Sequence, residues 1–495
     1  MMNDETLIIG AGPAGMAAAM ELSKVNKRFL VVEKQDKVGG LAKTHIFKEE
    51  GYTFLTDNGP HRFFSKNKYL YDFIEDLIHE EWIKVKRQTR QYIDGKFYDY
   101  PINAMQAFKN VGVKMVVKIL IDYLSAQIQY KIFRKDIKNF EDYVVANFGR
   151  SLAELNMINY TEKIWGISCS EIHPNWAKQR IKGLNLFSAV KSILFKNHNP
   201  RSMVDQFYYP EFGTGLIYEA IKKRIEDKGY KILTQSYPVK IKHDNYKITE
   251  VLLNVNGRKK TIKPNHVIES ITITEFLNLF DPQPPSNIIE SVSKLRHRSQ
   301  VYLFITLDKE TITDDQWIYF PERDIPFGRI SEMKNFSKKM SPEGKTSIFV
   351  EFFCFEEDSI WNMDKERLFE LALKHFERLG LFYRKDVRGY YLLKQKNVYP
   401  VYDLIYQKYL KDIKDYLDRF ENLYYIGRPG RFRYNNQDHS LEMGILAAKS
   451  IIDGKKYDIE EVGSEAEYYE KGELRVSEKQ KVSFNWLVLE DRDKN

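Results

Sequence analysis

Only two cysteines, Cys169 and Cys354, stand among the 495 residues. That is too few for a disulfide framework or a cysteine metal centre, and no metal is expected. No apolar run reaches membrane-spanning length free of charge. The nearest, 111–128, contains Lys114, Lys118 and Asp122. No internal repeat or low-complexity tract is present, and neither sign of charge dominates. The 77 basic and 69 acidic residues leave a net +8, mild over this length, which admits anionic ligands without arguing for nucleic acid. The first strand begins within a few residues of Met1, so no signal peptide is expected and the reading is cytoplasmic. Aromatic residues are plentiful instead: they make up 14% of the chain and include 32 tyrosines, which suits a ligand site built from amphipathic rings.

The chain is organised around residues 6–40. Thr6-Leu7-Ile8-Ile9 reads as a buried strand. It runs into Gly10-Ala11-Gly12-Pro13-Ala14-Gly15, a G-x-G-x-x-G that opens a helical pattern through Lys24. A second strand, Phe29 to Val32, ends on Glu33. In such a βαβ unit the first glycine permits the tight turn, the second lets backbone N–H groups approach a pyrophosphate, and the third lets helix and strand pack closely. The acid about 20 residues further on accepts ribose hydroxyls. Gly39-Gly40-Leu41 then follows Glu33 closely, an E-x(5)-G-G spacing that resembles the FAD-binding start of glutathione-reductase-like flavoproteins.

Further along, 51–65 reads as a strand and a Gly/Pro turn holding His61. Residues 90–101 read as a hairpin with Asp94-Gly95 at its tip, and 103–195 as mostly helical. The basic helical stretch 109–138 reads as a lobe with a solvated basic face in preference to a membrane-surface helix. Strand patterns return at 231–243, 249–260, 301–307, 316–320 and 347–355, with Asn256-Gly257 as a second hairpin turn. Helices are expected at 364–380 and 402–418, then a short strand ending at Gly427 and a final helix from Ser440 to Ile452. The fold class expected is α/β: a Rossmann-like FAD-binding domain of the glutathione-reductase type, an antiparallel-sheet substrate domain and a helical lobe. The FAD domain is assigned 1–80, 201–280 and 420–455, the sheet domain 81–102 and 281–419, and the helical lobe 103–200. The charged extension 456–495 lacks apolar periodicity and is expected to be peripheral.

These segments together resemble the flavin-dependent UDP-galactopyranose mutases, nearest to the eukaryotic type, within the protoporphyrinogen-oxidase and amine-oxidase flavoproteins. NWAKQRIKGLNL resembles the mutase segment with a diphosphate arginine, which implies Arg180. QWIYFPERDIPFGRIS implies Arg329 as the second, with Trp317 and Tyr319 lining the sugar pocket. VYPVY implies Tyr399, and RFRYNNQDHS implies Tyr434 toward the diphosphate and Asn436, Gln437 and Ser440 toward the flavin. NGPHRFFS implies His61 against the flavin edge. The resemblance also assigns to FAD the turn Gly10, Gly12, Pro13, Ala14 and Gly15, then Glu33, Lys34, Gly40 and Leu41, and later Val239 and Gly427. The base-stacking segment KFYDYPIN keeps Tyr100, with Asn103 beside it. Gly59-Pro60, Ile102-Asn103 and Phe336 depart from the family pattern, so sugar and base stay open.

The resemblance implies a nucleotide-diphosphate sugar substrate and a pyranose/furanose interconversion. Reduced flavin, with NADPH or NADH as reductant, attacks the anomeric carbon through N5 with no net redox change. The alternative is an FAD-dependent oxidoreductase acting on an amine, porphyrin or carotenoid-like substrate, whose site would be apolar and lack a diphosphate clamp.

Overall fold

A computed structural model of the chain describes residues 5–65, 67–100, 106, 110, 112–177 and 206–463. Five parallel strands form the first sheet, in the order Leu423–Tyr425, His266–Glu269, Thr6–Ile9, Phe29–Val32, Lys231–Leu233. The two strands flanking the glycine turn are buried at every position, as expected where both faces of a parallel sheet are covered.

The helix Pro13–Lys24 packs against the last helix, Gln437–Asp453, every residue of which is buried from Gln437 to Ile451. Only glycine fits at the crossing: a Cβ on Gly444 would lie 2.1 Å from the Ala14 carbonyl oxygen. This last helix starts three residues earlier than its apolar pattern suggests. Asn436 caps it, accepting the His439 backbone N–H, while His439 Nδ1 accepts the Asn436 N–H at 3.3 Å. Apolar periodicity cannot register such a polar start.

The second sheet has seven strands: Val387–Pro400, His297–Leu307, Thr346–Cys354, Arg329–Glu332, Trp317–Tyr319, Thr89–Ile93 and Lys96–Asp99 in spatial order. Neighbours are antiparallel except Trp317–Tyr319 beside Thr89–Ile93. Alternation sorts its faces. Val301, Leu303 and Ile305 pack with helix Lys365–Arg378, and Tyr302 and Phe304 with Phe207, Tyr209 and Trp317 on the other side. Both hairpin tips have the left-handed backbone their sequences require: Asp94 and Gly95 at φ 48° and 75°, Asn256 and Gly257 at 49° and 83°.

The strands Val387–Pro400 and Arg329–Glu332 were not expected, and two further regions differ from the sequence reading. The helix Val113–Gln127 does not show a simple solvated basic face. Its inner side buries Ile119 and Ala126, while Val113, Val117, Leu120, Ile121 and Leu124 are exposed. Of the extension expected to be peripheral, 464–495 lies outside the described residues. The stretch 455–463, though mostly exposed, is anchored to the core. Val462 is buried against the first sheet's core, and Glu460 pairs with Lys414 and Arg431, the first at 2.5 Å. Ion pairs anchor this segment, so it needs no apolar period. Among the described residues no helix is long and apolar enough to cross a membrane.

Candidate functional site

The glycine turn separates two demands. Gly10 has φ 98° and donates to the Val32 carbonyl at 2.8 Å. A Cβ on Gly15 would lie 2.0 Å from the Gly10 carbonyl oxygen, so Gly15 serves the packing of helix on turn. A Cβ on Gly12 would meet only the Gly40 Cα, at 3.9 Å, so no protein atom demands glycine there. Gly40 has φ 53° and approaches Gly12 closely, and Gly39 donates to the Ala11 carbonyl at 2.8 Å, folding the second glycine pair over the first.

Glu33 is buried and accepts two backbone N–H bonds, from Ala11 on Oε2 and Gln35 on Oε1, both 2.8 Å. A carboxylate has about four acceptor sites, so this tie leaves acceptor capacity. Pro13 opens the helix and no side chain caps it, so its first N–H groups stand at the turn as anion donors. Gly427, at φ 76°, backs onto Ala14, where a Cβ would come within 3.1 Å of the Ala14 Cβ. Lys34 lies over the Tyr237 ring at 6.0 Å. Leu41 is half-buried, as is Val239 at a bulge between Pro238 and Lys240.

The His61 turn is pinned from beneath. Buried Asp57 accepts from Thr44 Oγ1 at 2.5 Å, Tyr209 OH at 2.6 Å and the Thr214 N–H at 3.1 Å, and Thr214 Oγ1 donates to the His61 carbonyl at 3.1 Å. The N-terminal end of the last helix lies alongside. Gln437 takes a bond from Tyr218 OH at 2.9 Å and reaches the Arg62 carbonyl at 3.5 Å, and Ser440 donates to Asn435 Oδ1 at 3.4 Å. His61 Nε2 is buried with no hydrogen-bond partner among the described residues. Burial, then the Arg428 and Arg329 guanidinium charges, push its pKa down to about 4, so the ring is neutral near pH 7.

Above the turn stand two arginines and a set of phenols. Arg329 donates Nε to Glu351 Oε1 and Nη2 to Oε2, both at 2.7 Å, a forked pair with the carboxylate buried. Gln300 Nε2 also donates to Glu351, at 3.1 Å. Arg428 donates Nε to the Asn435 carbonyl at 3.0 Å and Nη1 to the Val398 carbonyl at 3.4 Å. Among the described residues no carboxylate pairs with it. It lies 5.4 Å from the Tyr399 ring centre and 4.8 Å from that of Tyr434, and these two rings stack at 5.5 Å. Arg329 is 6.0 Å from the Tyr319 ring, which meets Tyr100 and Tyr160 edge-on, each at 5.3 Å. Burial raises the Tyr160 and Tyr399 hydroxyl pKa values, so these phenols are neutral donors.

The matching family model is that of an NAD(P)-binding Rossmann-like domain, over residues 8–77. A solved structure of reduced UDP-galactopyranose mutase superposes with a TM-score of 0.79 at 21% identity, covering 94% of this chain and 100% of that one. The chain shares the fold of UDP-galactopyranose mutase. By sequence it is 26% identical over 195 residues to the UDP-galactopyranose mutase of Mycoplasma genitalium, covering 34% of this chain and 42% of that protein. It is also 20% identical over 358 residues to an L-amino-acid oxidase of Bothrops moojeni, covering 65% of this chain and 66% of that one. Each of these two sequence matches spans less than two thirds of the relative.

Of the residues singled out by the mutase resemblance, His61, Tyr319, Arg329, Tyr399 and Tyr434 come together in one cluster, with Tyr100 at its edge. Trp317 is set deeper, stacked on Phe336 at 5.9 Å in the apolar layer under the sheet. Arg180 and Asn103 lie outside the described residues. Sequence reasoning missed Arg428, Glu351, Tyr160 and Lys163. The one acid inside the apolar strand Thr346–Cys354 was a readable signal for Glu351, since such a charge is buried only with a partner. Lys163 Nζ donates to the carbonyls of Phe320 at 2.6 Å, Glu322 at 2.5 Å, Ile325 at 2.9 Å and Phe327 at 3.3 Å. It thereby holds the turn that delivers Arg329, and nothing in its sequence neighbourhood announces that.

Proposed function

We propose that the protein is an FAD-dependent nucleotide-sugar pyranose/furanose mutase. The observation that carries this reading is the donor-rich cluster of Arg329, Arg428, Tyr399 and Tyr434 beside neutral His61. An oxidase of apolar substrates has no use for two guanidinium groups set among buried phenols. The residues also fit a flavin dinucleotide of the glutathione-reductase type. Gly12 keeps open a space that no protein atom claims, the first helix presents uncapped N–H groups, Glu33 retains acceptor capacity, and His61 Nε2 is a buried, unpartnered nitrogen.

In this reading Gly12 to Gly15 and the helix N-terminus bind the flavin pyrophosphate. Glu33 takes the ribose, and Asn436, Gln437 and Ser440 lie toward the ring system. When bound and reduced, with NADPH or NADH as the electron source, the flavin supplies a nucleophilic nitrogen toward the anomeric carbon, and electrons are not consumed over the cycle.

The chain's own task is to hold the departing diphosphate so that it can return. Arg428 supplies the uncompensated positive charge. Arg329 supplies direction, because Glu351 already balances its charge and fixes its plane. Between these two arginines, one charge is balanced by Glu351 and the other is left for the diphosphate. Tyr399 and Tyr434 add neutral hydroxyl donors. His61, uncharged, adds no positive charge beside the reacting carbon. The aromatic walls Tyr100, Tyr160 and Tyr319 limit water.

Reduced enzyme kept anaerobic with uridine, guanosine or thymidine diphosphate sugars is expected to yield a ring-size isomer without consuming reductant per product. The second reading, an FAD-dependent oxidoreductase, draws on the L-amino-acid oxidase likeness across 65% of the chain. The same two arginines could seat a substrate carboxylate. Absence of any isomer, together with flavin reduction by an amino acid or amine, would decide for it.

A further inference from the structure

The outer face of the helix Val113–Gln127 is built to meet something. Val117, Leu120, Ile121, Leu124 and Ile128 recur at three- and four-residue spacing along that face, and Ile121 and Leu124 are 60% and 61% exposed. The wider turn Ile128–Ile132 continues the stripe and ends on Phe133, 77% exposed. The inner face already has its core in Ile119 and Ala126, and Asp122 on that side accepts the Ser151 N–H at 3.0 Å. Among the described residues, the outer stripe therefore serves no internal packing. Contiguous exposed apolar surface of this kind marks an interaction site.

Charge selects the occupant. Between Gly112 and Lys138 stand six lysines and arginines against two aspartates, and Lys114, Lys118, Lys131 and Arg134 are exposed around the stripe. A second copy would bring these cations against one another. An anionic bilayer surface would satisfy both features: apolar side chains enter the boundary of the acyl region while flanking ammonium and guanidinium groups reach the phosphates. We infer that the helix Val113–Gln127 and the turn to Phe133 dock this protein on anionic membrane surfaces, lying in the interface rather than crossing it. The helical region that carries Tyr160 and Lys163 would then be the one resting on the lipid.

The test is co-sedimentation of the full-length protein with vesicles of phosphatidylcholine alone or of phosphatidylcholine with phosphatidylglycerol. Binding is expected to the anionic vesicles, to weaken with salt, and to be slight on phosphatidylcholine. Ile121→Asp with Leu124→Asp should lower the partition by about tenfold or more, and Lys114→Glu with Lys118→Glu by roughly tenfold. Both pairs are on the surface and should keep the parent's thermal transition, which separates lost docking from lost folding. Failure to bind anionic vesicles overturns the inference. So does equal partition of parent and aspartate variant. Self-association in sedimentation velocity that the aspartate pair abolishes, without vesicle binding, overturns it in favour of a second copy.

Discussion

The turn at Gly10–Gly15 and the cluster around Arg329 and Arg428 are assembled in opposite ways. Most of the turn's contacts lie within residues 6–40: Gly10 to Val32, Ala11 to Glu33, Gly39 to Ala11, Gly12 against Gly40. The cluster takes Tyr100, Tyr160, Tyr319, Arg329 with Glu351, Tyr399, and Arg428 with Tyr434 from segments scattered over more than half the chain. A local site built from backbone constraints announces itself through glycines. A site built from side-chain charge does not, because the partner of each charge is set by sheet register. Glu351 meets Arg329 only because Arg329–Glu332 and Thr346–Cys354 pair with those two residues opposite each other. The two arginines of the cluster differ in the same sense, one balanced and one not, and that contrast can be tested.

The largest effect should come from the balanced arginine. Arg329→Ala leaves the Glu351 carboxylate buried without its cation, and breaking such a pair costs about 3–5 kcal/mol. Urea unfolding should show that loss along with lost turnover. Glu351→Gln should do the reverse at the site. It uncovers the Arg329 charge, so a nucleoside diphosphate should bind more tightly while product release slows. An Arg329→Ala protein as stable as the parent would contradict the pairing.

Arg428 should behave differently. Removing it strands no carboxylate but unpairs the Asn435 and Val398 carbonyls, so stability should fall by about 1–3 kcal/mol, less than at Arg329. Turnover should fall by about 2–4 kcal/mol of transition-state stabilisation, as when an oxyanion donor is removed, and nucleoside diphosphate should no longer raise the melting temperature. Arg428→Lys should restore part of the binding, since a point charge cannot fork between oxygens. If Arg428→Ala destabilises the fold as much as Arg329→Ala while still binding nucleoside diphosphate, the two arginines have been assigned the wrong way round.

The glycines divide in the same manner at smaller cost. Gly15→Ala presses a methyl into the Gly10 carbonyl and should lose about 1–3 kcal/mol of stability, as overpacking does. Gly12→Ala should leave the unfolding of flavin-free protein nearly unchanged but reduce flavin retention, read from the visible absorbance of the purified protein. Loss of stability at Gly12 without loss of flavin would remove the main argument that its space is kept for a pyrophosphate.

How much was legible follows from the same contrast. The first strand, the glycine turn, the hairpin tips at Asp94-Gly95 and Asn256-Gly257, and the strands near 301–307, 316–320 and 347–355 are each imposed by backbone geometry or by an apolar run, and the structure shows them where the sequence pointed, whereas the strands Arg329–Glu332 and Val387–Pro400 were not read. The start of the last helix, the anchoring of residues 455–463, the Lys163 pin and the Arg329–Glu351 pair depend on one polar side chain finding a distant partner. Periodicity carries no record of that. The resemblance supplied His61, Arg329, Tyr399 and Tyr434, which converge, but it could not show that one cation of the cluster is neutralised and the other is not.

The smallest effect concerns protons and is the most discriminating. Burial leads in holding His45, His61 and His297 each at about 4, below the usual 6.5. A histidine with a lowered folded pKa binds fewer protons when folded than when unfolded across that interval. Its stabilising share is therefore complete above about 6.5 and is lost as the pH falls toward 4. All three should make the protein acid-labile in that window, seen as a melting temperature that declines below pH 6.5. His61 alone should respond to ligand, because only its pKa is depressed by Arg428 and Arg329 as well as by burial. A bound nucleoside diphosphate would offset those two charges and let the His61 pKa rise part of the way back. The decline should then be shallower with ligand, and His61→Gln should abolish the ligand-dependent part while leaving that due to His45 and His297. Identical slopes with and without saturating nucleoside diphosphate would mean that the anion does not sit beside His61.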